Sequence, residues 1–159
     1  MANWEEILNE ELPLFGHRNW ILIVDAAYPL SSAASLEVVA TNSLLTDVVK
    51  KVLEKISHSS HIRPILYRDA ELNYLDDKLC KGSEELKREL NVLTKSYSVN
   101  EIFHDEIFPK IDKASSLFKI LILKTNCSIP YSSLFIQLDC GYWPEDAEKE
   151  LRKRIQNNY

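Results

Sequence analysis

Trp20-Ile21-Leu22-Ile23-Val24 is an unbroken apolar run that stops abruptly at Asp25. Five residues are too few for a helix. Three of them are β-branched and none is polar, so the run predicts a strand buried on both faces. Lys119-Ile120-Leu121-Ile122-Leu123 repeats the pattern, and Leu36–Ala40, Pro64-Ile65-Leu66-Tyr67 and Leu134–Leu138 are further strand candidates. Helical patterns lie between them. Asn3 and Glu6 have capping-box spacing ahead of Trp4, Ile7, Leu8 and Leu12, and Pro13 ends that helix. Over about 43–56, Leu44, Leu45, Val48, Val49, Val52, Leu53 and Ile56 share one face, with Thr41, Asn42 and Ser43 as N-cap candidates. From 69 to 117 the pattern is mostly helical. One helix starts at Ser83-Glu84-Glu85-Leu86, and a second over part of 99–108 is interrupted by Pro109. Pro144 opens a charged last helix, from Glu145 to about Gln156, and occupies its first turn. Strands alternating with helices define an α/β protein with one sheet covered on both sides.

The composition narrows the function. The chain has 159 residues, 45% of them hydrophobic and 27% charged, which suits one globular domain. Its net charge of -5 argues against nucleic acid as a partner, because phosphate binding draws on Lys and Arg. Cys80, Cys127 and Cys140 are odd in number and lack metal-type spacing, which fits a reducing compartment and a cytoplasmic location. The first residues lack the basic and apolar regions of a signal peptide, and no apolar run approaches the roughly 20 residues of a membrane span. With only Gly16, Gly82 and Gly141, the chain has no phosphate-cradling loop and no nucleophile elbow, so neither a dinucleotide cofactor nor acyl transfer is expected. No cofactor and no metal is expected.

Some polar residues sit where chemistry could occur. Asp25 ends a buried strand, and α/β proteins bind ligands beyond the carboxyl ends of their strands. Taken alone it is more often a turn residue. His17, in the turn Gly16-His17-Arg18-Asn19, titrates near neutrality and can exchange a proton, although a lone loop histidine is usually just solvated. His58 and His61 lie in a serine-rich loop without a third ligand and suggest no metal site. Tyr131, in Pro130-Tyr131-Ser132-Ser133, could offer a hydroxyl or a stacking face, or be a half-buried turn residue.

Read together, these pieces resemble the ribose pyranase / fucose mutarotase (RbsD/FucU) family. Leu14-Phe15-Gly16-His17 and Ile21-Leu22-Ile23-Val24-Asp25-Ala26-Ala27-Tyr28-Pro29 look like the family's opening, including the spacing of eight from His to Asp. Lys124-Thr125-Asn126-Cys127 and Pro130-Tyr131-Ser132-Ser133-Leu134 look like its closing segment. The resemblance implies a three-layer fold with a mixed, mostly parallel sheet over 1–143, and makes 144–159 a helical extension of the same domain. It implies that His17, Asp25 and Tyr131 are catalytic and that Ser133, His104 and Tyr28 contact the substrate, with Asn100 competing with His104 for the family's second histidine. Ser133 stands where the family has Asn, and Asn126 and Cys127 where it has Gly and Glu. The implied function is ring opening and closing of a free ribose- or fucose-like monosaccharide by acid–base chemistry. The alternative is a member that binds the sugar without turnover. A third reading, a plain interaction domain, makes both signatures coincidental. Assembly with itself into pentamers or decamers, with sites near subunit contacts, is implied as well.

Overall fold

The structure, a computed structural model, describes residues 3–158. Its six strands are β1 (Trp20–Val24), β2 (Leu36–Ala40), β3 (Ile62–Asp69), β4 (Val99–Ile102), β5 (Ile120–Lys124) and β6 (Leu134–Cys140). They form one sheet in the order β2-β5-β1-β6-β3-β4. β1 runs parallel to β5 and antiparallel to β6, and β3 is antiparallel to β6 and parallel to β4. β2 is parallel to β5, so five strands point one way and β6 alone points back. This is the mixed, mostly parallel sheet that the resemblance implies. All five residues of β1 are buried, as a strand flanked and covered on both faces requires.

Helices α1 (Trp4–Glu11), α2 (Leu45–Ser57) and α3 (Ser83–Leu93) cover one face. They bury Leu8, Val48, Val52 and Leu90 against Ile21, Ile23, Leu66 and Ile136. The other face carries α4 (His104–Ser115), whose Ile107 and Ile111 pack on Trp20, Leu22, Ile122 and Phe135. The last helix, α5 (Glu145–Gln156), has no buried residue. Each strand alternates between the two cores: Trp20, Leu22 and Val24 face α4, while Ile21 and Ile23 face α1–α3.

The Asn3–Glu6 capping box forms as expected. Elsewhere the structure corrects the sequence reading. α2 starts from Leu44 without a side-chain cap, and Thr41 Oγ1 instead accepts from the Ser43 N–H at 3.3 Å to shape the preceding turn. Residues 99–102 are a strand, not part of a helix, because β3 supplies a partner to which a short polar segment can pair. Its helix begins later and runs through Pro109. The proline forfeits one backbone bond there, while Ile107 and Ile111, buried on either side of it, hold the helix down. Pro144 is the N-cap of α5, one residue ahead of the first turn.

Candidate functional site

Strand direction decides which residues meet. The carboxyl ends of β1, β3, β4 and β5 share one edge, and because β6 is reversed its amino end lies there too. Asp25 follows β1, Asp69 ends β3, His104 follows β4, and Tyr131 and Ser133 precede β6. The connection into β6 is tied to the end of β1: Thr125 donates to the Val24 carbonyl through its N–H (2.9 Å) and its hydroxyl (2.8 Å), and the Ala26 N–H donates to the Cys127 carbonyl at 2.8 Å. The Ser132 hydroxyl donates to the Ile129 carbonyl at 2.7 Å, which closes the turn holding Tyr131 at φ 58°. A tyrosine in this left-handed region stores backbone strain of about 1–2 kcal/mol.

The centre of this edge is a carboxylate–imidazole pair. His104 Nδ1 lies 2.9 Å from Asp69 Oδ2, and the Asp69 side chain is 1% exposed. The other oxygen of Asp69 is buried without a partner. Burial, reinforced by the charges of Glu71 and Asp25, pushes the Asp69 pKa up to about 6 against the lowering effect of His104. Glu71 accepts from the His104 backbone N–H at 2.9 and 3.1 Å, so its carboxylate caps the α4 amino end that Phe103 leaves without a side-chain cap. The Tyr131 ring stands edge-on to the imidazole at 5.5 Å, and Phe108 does so at 4.5 Å. Ser133 Oγ lies 3.4 Å from Asp25 Oδ1, a weak contact that leaves the carboxylate free for another donor. Tyr28 stacks on Phe108 at 6.4 Å, and its backbone carbonyl accepts from Lys124 Nζ at 2.9 Å. Burial, with Asp112, Asp69 and Asp25 nearby, raises the Tyr28 phenol to about 12, so it can donate a hydrogen bond but cannot serve as a base.

The structure therefore gathers Asp25, Tyr28, His104, Tyr131 and Ser133 at one edge. His104, not Asn100, is the histidine there; Asn100 lies within β4 and donates to the Leu66 carbonyl at 3.0 Å. His17 is not part of this cluster within one chain. It precedes β1, so the length of that strand, roughly 16 Å, separates it from Asp25. Its Nδ1 instead meets Asp139 Oδ1 at 2.8 Å at the far end of β6. His58 and His61 serve the fold: His61 Nε2 lies 3.0 Å from the Leu12 carbonyl and His58 Nδ1 lies 2.8 Å from that of Glu54. The sequence reading missed Asp69. Its signal was the one that marked Asp25, a carboxylate closing an apolar strand.

No protein-family model matches the chain. No curated protein matches it by sequence. Its fold is that of the RbsD/FucU structures. Bacillus subtilis RbsD complexed with D-ribose aligns with 19% identity and a TM-score of 0.60, over 87% of this chain and 94% of that one. FucU from Bifidobacterium longum aligns with 13% identity and a TM-score of 0.58, over 84% and 93%. The fucose mutarotase in complex with L-fucose from Streptococcus pneumoniae aligns with 13% identity and a TM-score of 0.52, over 84% and 91%.

Proposed function

We propose that the chain binds a free ribose- or fucose-like monosaccharide at the carboxyl edge of its sheet and interconverts the cyclic forms by opening and reclosing the hemiacetal. The observation that carries this reading is the Asp69–His104 pair set beside Asp25, Ser133 and Tyr131. Opening requires that the proton leave the anomeric hydroxyl while the ring oxygen gains one. The bond from the anomeric carbon to the ring oxygen breaks, a carbonyl forms, and nothing is oxidised or reduced. Asp69 fixes one imidazole nitrogen, which leaves His104 Nε2 for the proton transfer. Asp25 and Ser133 would orient a sugar hydroxyl, and Tyr131 would offer the sugar a ring face and a phenol. Solved proteins of this fold hold D-ribose and L-fucose. The cytoplasm is the proposed setting, since Cys80, Cys127 and Cys140 are all unpaired.

His17 enters this reading only through self-assembly. Its side chain is 55% exposed at the opposite edge, so in a ring of subunits it would serve a neighbouring copy's site. Binding without turnover is the second reading. Cys127 favours it, because a thiol bonded to Ser132 at 3.4 Å stands where the resemblance expects a glutamate. Saturation-exchange NMR on ribose and fucose separates the two. Anomer exchange faster than in buffer, lost in His104→Ala, is the expected result. Exchange no faster than in buffer rejects catalysis, and saturation transfer from protein to sugar in that case selects binding alone.

A further inference from the structure

Helix α5 lacks the packing that usually holds a helix of its length. It has 12 residues, none buried, and isolated helices of about 12–15 residues are marginal in water. Three ion pairs at i,i+4 spacing, Glu145–Lys149, Glu148–Arg152 and Glu150–Arg154, support it only weakly, since all are exposed. Its apolar residues nevertheless line up. Trp143, just before the helix, and then Ala147, Leu151 and Ile155 recur every fourth residue, with Trp143 42%, Leu151 39% and Ile155 41% exposed. A shallow hollow of about 200 Å³ along this stripe is lined by Trp143, Ala147, Glu150, Leu151 and Arg154, with no residue of the sheet among them, although Trp143 also borders the hollow beside His17, Arg63 and Ile65.

The charges indicate what covers it. Glu145, Asp146 and Glu148 lie in the first part of the helix, and Arg152, Lys153 and Arg154 in the last. A second α5 laid antiparallel sets each acidic end against a basic end, and the same crossing brings Trp143 onto Ile155 and Ala147 onto Leu151 of the other copy. We infer that α5 is a self-association element that pairs with α5 of a second copy of this chain about a two-fold axis. Such a pair is isologous: every contact occurs twice, and charge and apolar registers are satisfied together.

Light-scattering mass on the full chain, with circular dichroism to confirm folding, tests this. Leu151→Glu should halve the wild-type mass. So should the all-basic variant Glu145→Lys/Asp146→Lys/Glu148→Lys and the all-acidic variant Arg152→Glu/Lys153→Glu/Arg154→Glu. Mixing the all-basic and all-acidic chains one to one should restore the wild-type mass, because only the mixed pair is complementary. If the reversed variants keep the wild-type mass, or the mixture stays at the halved mass, the antiparallel pair is wrong. A wild-type mass of one chain, with Leu151-dependent sedimentation on anionic lipid vesicles, would overturn it in favour of a membrane contact.

Discussion

The two edges of the sheet carry the same chemical pair, a histidine Nδ1 against an aspartate oxygen. At the carboxyl edge His104 and Asp69 are 2.9 Å apart, and at the amino edge His17 and Asp139 are 2.8 Å apart. Around Asp139 everything is satisfied. Arg63 donates to Oδ2 at 2.6 and 3.1 Å, and the Cys140 N–H donates to Oδ1 at 2.9 Å. Burial there pushes the carboxyl up, but Arg63, the Cys140 N–H and His17 together hold it below its ordinary value. Asp69 has one partner, one stranded oxygen and other carboxylates for neighbours, and its pKa rises to about 6. Equal distances thus produce opposite electrostatics, because the rest of each carboxylate's surroundings decides its charge. A satisfied pair is a structural clasp, whereas a half-satisfied one near neutrality keeps a proton available.

The contrast fails or hardens on four measurements. The largest effect is expected at His104: replacing it by Ala should cost about 10²–10⁴-fold in catalysed anomer exchange, with circular dichroism unchanged. At the opposite edge, His17→Ala should cost about tenfold, and only through a neighbour. Mixed one to one, the His17→Ala and His104→Ala chains should recover activity toward about a quarter of wild type, the share of sites that draw both intact residues from two copies. No recovery would confine His17 to its clasp.

The third measurement is stability against pH. Asp69 titrates at about 6 in the folded chain and near about 4 when unfolded, so between those values the folded state holds the extra proton. Stability should therefore fall as pH rises from about 4 to 6, by on the order of 2–3 kcal/mol, and urea titrations of Asp69→Asn should lose that slope. Asp139 has the opposite sign. Its lowered pKa makes its contribution present near neutrality and lost as pH drops below about 4, and Asp139→Asn should cost less than about 1 kcal/mol at pH 7. Changes in slope of the same sign in the two variants, each taken against the wild type, would undo the comparison.

Much of this fold was legible in the residues. Periodicity exposed α1 and α2, and apolar runs exposed β1 and β5, because each buries a face that its own pattern announces, whereas α5 was marked by Pro144 and its run of charge. Val99–Ile102 was not legible, since a four-residue strand containing Asn and Glu is stabilised by its neighbour β3 and not by its own propensity. The site was half legible. Asp25 and Asp69 share a signal, a carboxylate at a strand end, but Asp69 opens a stretch whose pattern reads as helical. The spacing of His17 and Asp25 already carried their geometry: eight residues with a strand between them put the two at opposite ends of that strand within one chain.

The strand order also bears on how the chain is made. β1 is flanked only by β5 and β6, with Trp20 aligned to Ile120 on one side and to Gln137 on the other. During synthesis Trp20–Val24 must therefore leave the ribosome and wait, its hydrogen bonds unclaimed, until about a hundred further residues have followed. The pairings that complete this sheet are therefore distant in sequence, which slows its closure. Until β5 follows, β1 is an apolar strand with both edges open, the kind of segment that associates with other chains.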